Sequence, residues 1–405
     1  MPLALLALTL GAFAIGTTEF IVVGLLPGVA DSYAVSIPTA GWLVTGYALG
    51  VLVGAPVMTG LGTRISRKRM LLISLLLLIG GNVLSAAAPT FGLMLTGRIV
   101  ASLAHGAFFG IGAVVAGALV APNRRAGAIA MMFTGLTVAT VVGVPLSTML
   151  GQHFGWRLAF ALVAAVGALA FAGVLALVPD QPAPRDARFT RELAVLRNPQ
   201  VLLAMAMTVL GFGGVFAAIT YLAPMMTEVT GYAETSVTWI MVLFGLGFLI
   251  GNLVGGRYAD RHLLPMLYIT LAGLAVVLSL FTVTAHNKIA AAITVVLIGA
   301  LGFATVPPLQ KRVLDQAAAA PTLASALNIG AFNLGNALAA WLGGLVIAAG
   351  FGYTAPSWVG VVLAASALAL AVWSGALERR TATIVAPGEE LVAVRDRPEA
   401  AITRP

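Results

Sequence analysis

Two formally charged residues fall deep inside apolar stretches of this chain, Glu19 and Arg98. Charge in apolar surroundings is expensive, and where it persists it usually handles a proton, an ion or a polar ligand. Glu19 lies eight residues before Pro27, which closes its apolar stretch. On a helix that is about 12 Å below the end, at 1.5 Å per residue. Arg98 lies seven residues after Phe91, about 11 Å below the same surface. Matching depth allows an ion pair between two helices. Desolvation favours the protonated carboxyl and a nearby guanidinium favours the carboxylate. A carboxyl that alternates between those conditions would carry a proton. His105 follows Arg98 by seven residues on nearly one helix face, with Ser102 and Phe109 continuing the stripe. Its imidazole could titrate, and the competing reading is a hydrogen-bonded packing residue.

The elements that must position these groups are set by composition. The 405 residues are 60% hydrophobic and 9% charged, with a mean hydropathy of +1.03, outside the range of soluble globular domains. Twelve apolar stretches are long enough to cross a bilayer. Six lie near 3–27, 39–62, 70–88, 91–120, 127–151 and 158–178. Six more lie near 201–224, 235–256, 266–285, 289–309, 322–348 and 353–376. The expected fold is an all-α membrane protein: a six-helix bundle over 1–178, a linker over 179–200, a second bundle over 201–376 and a disordered tail over 377–405. The first stretch contains Glu19 and has no basic start, so it reads as a true helix and not a cleaved signal.

With both termini cytoplasmic, nineteen of the 22 Lys and Arg fall on the inner side, Arg157 and Lys288 fall outside, and Arg98 lies within a helix. This bias fixes the expected orientation in a bacterial inner membrane and explains the net charge of +8 without invoking nucleic acid. No cysteine is present, which excludes disulfide and thiolate-metal chemistry. No cofactor or metal is expected.

The beginning of the chain is also written twice. Trp42, Leu49, Gly50, Leu52 and Gly54 recur 197 residues later as Trp239, Leu246, Gly247, Leu249 and Gly251, and Pro27 recurs as Pro224. A repeat near half the chain length implies two related halves with a ligand site at their interface, as in transporters. The titratable groups are not repeated: Glu19 corresponds to Phe216, Arg98 to Val295 and His105 to Gly302. The second half instead offers Phe212, Phe216, Tyr221, Asn252, Asn328, Phe332, Asn333 and Asn336. Aromatics with a few amides suit a neutral, partly apolar ligand. The expected cavity is walled by helices 1, 4 and 5 and by helices 7, 8, 10 and 11. Phe216, Tyr221, Asn328 and Asn333, then Tyr47 and Thr137, are the expected contacts. In helix 5, Gly143 and Pro145 should permit close approach and a bend. The loop basics Arg64 and Arg67, and Arg257 and Arg261 with Asp260, are expected to latch helix ends across the halves.

These residues resemble the major facilitator superfamily, in particular its twelve-helix drug:proton antiporters. The loop from Thr59 to Arg69 is similar to the signature between helices 2 and 3, with Arg64, Arg67, Lys68 and Arg69 in place. Thr63 stands where that signature has aspartate, and Ser66 where it has glycine. Gly256, Asp260 and Arg261 keep the glycine-aspartate-arginine part in the second half. Arg98 matches the helix 4 arginine, which in that family takes part in proton coupling. Gly143-Val-Pro145 resembles the antiporter signature of helix 5. Gly16-Thr-Thr-Glu-Phe20 with Gly24-Leu-Leu-Pro27, His105-Gly-Ala-Phe-Phe-Gly110 and Gly155-Trp-Arg157 look like a bacterial branch. That branch holds AraJ-like proteins read as sugar exporters and actinobacterial chloramphenicol exporters.

The resemblance implies a monomeric exporter of small neutral or amphipathic molecules, exchanging them for protons. A sugar or sugar-alcohol exporter, or an uncoupled facilitator, is the alternative. No Walker-type loop is present, so ATP is not expected to drive it directly. A channel would want polar rings from symmetric elements, and here polarity is one-sided. An intramembrane enzyme would need a catalytic partner for His105 that the sequence does not offer.

Overall fold

The computed structural model describes residues 3–62, 65–121, 124–181, 196–259, 261–317 and 321–393. Twelve helices among the described residues are long and apolar enough to cross a membrane. They are α1 (Leu3–Ser32), α2 (Ile37–Gly62), α3 (Arg67–Ala87), α4 (Phe91–Ala118), α5 (Gly127–Phe154) and α6 (Trp156–Leu177) in the first half. The second half has α7 (Pro199–Thr220), α8 (Glu234–Ala259), α9 (Leu263–Thr284), α10 (Lys288–Gln316), α11 (Leu323–Ala348) and α12 (Ala355–Arg379). Helices dominate because in hydrocarbon each backbone N–H and C=O must be satisfied within its own segment.

Two expected boundaries moved. Pro27 does not close α1, which runs on to Ser32 with the proline inside it. A proline-bent helix in a bundle is tolerated where neighbouring groups re-satisfy the backbone. The tail expected to be disordered from 377 begins as helix: the last helix continues to Ala393. Glu378 at its start is held by Arg312 at 2.7 Å and by Gln316 at 2.6 Å.

The 197-residue repeat is a device for packing and turning. A Cβ built on Gly50 would meet the Ile99 carbonyl at 3.2 Å, and one on Gly54 would meet Leu103 Cα at 2.9 Å. In the second half Gly247 abuts the backbone of Val296 and Ala300, and Gly251 abuts Ala300. Ile99 and Val296, like Leu103 and Ala300, are themselves 197 residues apart. The glycines therefore bring α2 onto α4 and α8 onto α10 through equivalent backbone contacts, as small residues do in lipid. Turns repeat as well. Thr90 caps α4 and Asn287 caps α10 by accepting backbone N–H groups. Gly155 and Gly352 both hold left-handed backbone, at φ 90° and 80°. Ala34, at φ 52°, corresponds to Gly231 at 73°.

Helix α5 is interrupted where Gly143 and Pro145 predicted a bend: residues Ala139–Gly143 form a π turn before the helix resumes at Val144. Proline supplies no N–H, and a widened turn accommodates the lost bond. The turn packs on both neighbours. Gly143 lies against the Phe13 ring of α1, and Gly245 of α8 lies against the Thr140 carbonyl.

The halves meet in a packed apolar seam at the end away from the termini. Leu26, Val29, Ala40, Leu43, Leu222, Met225, Met226 and Val237 join in one buried apolar cluster there. Gln152 Nε2 donates to the Glu234 carbonyl at 2.7 Å, and Thr238 donates to Gln152 Oε1 at 3.2 Å. That end is closed.

Candidate functional site

A cavity of about 1990 Å³, counting its open mouth, lies between the halves. Its walls come from α1, α4 and α5 on one side and α7, α8, α10 and α11 on the other. It reaches from mid-span, at Glu19, Phe20 and Phe212, toward the end carrying the termini, at Ala130, Leu253 and Ser325. The molecule is sealed on one side and hollow toward the other.

In the first half, α1 and α4 build one buried polar cluster. Arg98 is 1% exposed and is consumed by backbone. It donates to the carbonyls of Thr18, Glu19 (3.3 Å) and Leu43 (3.4 Å). Its guanidinium carbon also sits 4.3 Å from the centroid of the Tyr47 ring, a desolvated cation–π contact of about 2 kcal/mol. Thr18 donates in turn to Asn82 of α3 at 2.6 Å, and Asn82 donates to the Leu78 carbonyl. The expected ion pair is therefore not the contact formed. Arg98 lies against the backbone carbonyl of Glu19, while the carboxylate turns to His105, with Oε2 3.9 Å from Nδ1. The Tyr47 hydroxyl lies 3.4 Å from the same ring nitrogen. Glu19 borders the cavity with its side chain 11% exposed, so this carboxyl stands between a buried cationic cluster and open space.

The second half meets it with aromatic rings and carboxamides. Phe20 packs on Phe216 with centroids 5.7 Å apart, and Phe212 contacts Phe216, Phe303 and Phe332 at 5.0–5.3 Å. These rings form the roof at the sealed side, each pair adding about 0.5–1.5 kcal/mol beyond buried area. Asn252, Gln310 and Ser325 stand below them, while Asn333 lies level with Phe332 on α11 and Asn336 about one turn closer to the seal. Gln310 donates to Ser325 at 3.0 Å and accepts from Asn328 at 2.7 Å. The Oδ1 atoms of Asn328, Asn333 and Asn336 are buried without a partner, each at a cost of about 1–3 kcal/mol.

Of the residues singled out for ligand contact, Thr137 and Asn333 border the cavity. Phe216 does not; it is 2% exposed and stacks above the roof. Tyr221 is wedged outward, donating to the Ala340 carbonyl at 2.7 Å. It lies against Gly41 of the other half, so it serves the seal. Tyr47 backs His105, and Asn328 lies behind Gln310. Helix rotation decides these outcomes, and the spacing of apolar residues hides it where every face is apolar. Phe20, Phe109, Phe133, Thr134, Phe248, Phe303, Gln310 and Ser325 line the cavity without having been singled out. Adjacency to Glu19 could have flagged Phe20, and the stripe through His105 already held Phe109.

The latch residues divide. Arg67 bonds Gln181, just beyond α6 at the start of the expected linker, by backbone at 3.1 Å and by side chain at 3.3 Å. Arg257 and Arg261 are exposed, and Arg64 and Asp260 lie outside the described residues.

Among the described residues the elements are helical, and two related halves with a central cavity between them are the architecture of a membrane transport protein. The Major Facilitator Superfamily family model matches residues 8–324 and 231–403, and the chain belongs to that family. It is 45% identical to the inner membrane transport protein YdhP of Escherichia coli, over 94% of this chain and 98% of that one. It is 36% identical to a chloramphenicol resistance protein of Streptomyces lividans, over 92% of this chain and 96% of that one. In fold it is similar to a bacterial homologue of the lysosomal transporter Spinster, solved inward-facing and unoccupied. The TM-score is 0.68 at 18% identity, over 92% of this chain and 96% of that one.

Proposed function

We propose that the protein is a secondary active exporter of the bacterial cytoplasmic membrane, with both termini cytoplasmic. It exchanges inward protons for outward small neutral or amphipathic molecules by alternating access. The observation that carries this reading is the opposition across one cavity of a lone carboxyl, Glu19, and a wall of rings and amides. With the termini inside, the hollow side faces the cytoplasm, so a ligand loads from within. Glu19 exchanges a proton with the site, and its partner His105 and the neighbouring Arg98 change spacing as the halves rock about the α5 turn. A molecule such as chloramphenicol, with an aromatic ring and a polar tail, fits within the cavity and matches its rings and amides, and the Streptomyces relative supports it. The loop basics, together with Asp260, close the cytoplasmic side when the other end opens.

Sugars or sugar alcohols are the second reading, favoured by Gln310, Ser325, Asn333 and Asn336. Inverted vesicles with an imposed proton gradient decide between them, using a panel of antibiotics and sugars. Glu19→Gln holds the carboxyl in an uncharged form. It should abolish proton-driven uptake into the vesicles while ligand binding stays within about twofold, since the interactions with ligand lie mostly on the other wall. Normal pumping by Glu19→Gln would remove the carboxyl from the mechanism. Uptake indifferent to the gradient in the unaltered protein would make it a facilitator.

A further inference from the structure

The cavity wall is thin along one seam. Ala130, Phe133, Thr134, Val138 and Val142 of α5 and Leu253 of α8 line the cavity and are also exposed. Among the described residues, the lining positions of α1, α4, α7, α10 and α11 are buried or half-buried, although they face the same space. The added exposure therefore comes from the outer side. On α5, Ala130, Thr134, Val138 and Val142 recur every four residues, and the stripe runs on to exposed Leu146 beyond the cavity. Helices α5 and α8 cross near mid-span, where a Cβ built on Gly245 would meet the Thr140 carbonyl at 2.6 Å. From there α8 packs on the π turn and on the part of α5 after it, and only grazes the part before it. Leu253 lies eight residues beyond Gly245, about 12 Å along α8. The gap thus spans most of one leaflet of a hydrocarbon core about 30 Å thick.

The repeat-equivalent seam, α2 against α11, is shut. Gly330 and Ala331 of α11 correspond to Phe133 and Thr134 of α5 at the 197-residue offset. A Cβ on Gly330 would meet the Leu52 side chain at 3.2 Å, and Ile329 packs on the cluster of Tyr47 and Val51. Among the described residues α2 adds nothing to the cavity lining. Small residues let helices approach closely. In place of that glycine, α5 carries the Phe133 ring, stacked on Phe109 of α4 with centroids 5.2 Å apart.

We infer that the gap between α5 and α8 is a portal by which the apolar part of a ligand enters the cavity from the cytoplasmic leaflet of the membrane. The inference rests on the reading of this cavity as the transport site with the termini inside. Both edges offer hydrocarbon, from Phe133, Val138, Val142 and Leu253, and Thr137 and Asn252 line the cavity beside them. An amphipathic molecule keeps its apolar part covered from bilayer to site, while its polar part trades interfacial water for hydroxyl and amide. A compound confined to water, such as a free sugar, has only the mouth at the end carrying the termini.

The chain has no cysteine, so Thr137→Cys places a single thiol in the cavity wall. The full chain in lipid nanodiscs is exposed to one of two reagents. The first is a phosphatidylcholine bearing a maleimide at the end of one acyl chain, which stays in the bilayer. The second is a sulfonated maleimide, which stays in water. Both should label the thiol. Val138→Trp or Leu253→Trp, at positions 46% and 64% exposed, fills the portal without crowding the interior. Each should slow the lipid-borne label about tenfold and leave the water-borne label within about twofold. Absence of lipid-borne labelling in the Thr137→Cys chain, a measurement that needs no blocking variant, overturns the inference. So does a lipid-borne rate unmoved by both tryptophans, or one that falls equally for both reagents. Portal-dependent labelling without transport of any compound in inverted vesicles leaves the portal standing and removes the exporter reading. Proton-driven transport by a protein whose cavity thiol excludes the lipid-borne label does the reverse.

Discussion

The two halves share a way of packing and divide the chemistry. In each, glycines at positions 197 apart press one helix onto the backbone of another, α2 on α4 and α8 on α10. In each, a left-handed residue turns the chain after the first crossing and another before the last. Yet the first half holds Glu19, Arg98 and His105 where the second has Phe216, Val295 and Gly302. The second half could lose its charges because burying an unpaired one is costly, whereas the packing glycines cannot be exchanged without moving backbone. What a repeat preserves is therefore the frame, and the site is written into the places where the halves differ.

The strongest way to break this comparison is to move the carboxyl across it. Glu19→Gln combined with Phe216→Glu places an acid at the repeat-equivalent position, among Phe20, Phe212 and other rings. No arginine or histidine occupies the positions equivalent to Arg98 and His105. The double variant should show no proton-driven transport and should express less well than Glu19→Gln alone. Recovery of transport would mean that any carboxyl at the interface suffices, and that the buried cluster around Arg98 is only structural.

Next in size are the shared glycines. Gly50→Val and Gly247→Val each force a branched side chain into a neighbouring helix, and overpacking of this kind costs about 1–3 kcal/mol. Thermal denaturation in detergent should show comparable losses for the two. A loss confined to one half would show that the frame is not shared in energy as it is in geometry.

A smaller effect tests the turns. Gly231→Ala should cost about 1 kcal/mol, because alanine is strained in the left-handed region and nothing lies within 4 Å of the added carbon. Ala34→Gly relieves the same strain and adds unfolded-chain freedom, so its net effect should stay within about 0.5 kcal/mol. Denaturation midpoints of the paired variants check both signs.

The frame was legible because its signals are strong and local. Twelve apolar runs and the spacing of Trp42, Gly50 and Gly54 against Trp239, Gly247 and Gly251 specify helices and their repeat without knowledge of contacts. Gly143 and Pro145 announced the break in α5. The site was legible only where residue type is rare for its surroundings: Glu19, Arg98 and His105 do gather on α1 and α4. Who faces whom was not. Arg98 turned to carbonyls because a guanidinium offers five donors and one carboxylate cannot use them all. Tyr221 turned to the seal because its hydroxyl found the Ala340 carbonyl. Such outcomes depend on neighbours far away in the chain.

The smallest effect separates the sealed end from the open one. Gln152 makes two hydrogen bonds across the halves, to the Glu234 carbonyl and with Thr238, above a much larger apolar contact. Each bond at this partly exposed rim contributes about 0.5–1 kcal/mol net. Gln152→Ala should therefore bias the conformational equilibrium toward opening by about fivefold to thirtyfold and leave the fold intact. The chain has no cysteine of its own, so Ala40→Cys, buried within the seal, is a clean reporter. Its labelling rate from outside should rise by that factor in the Gln152→Ala background, and by less with Thr238→Val, which removes only the longer bond. An unchanged rate in both would assign the seal to apolar packing alone, with Leu26, Val29, Leu222 and Met226 next in line for truncation.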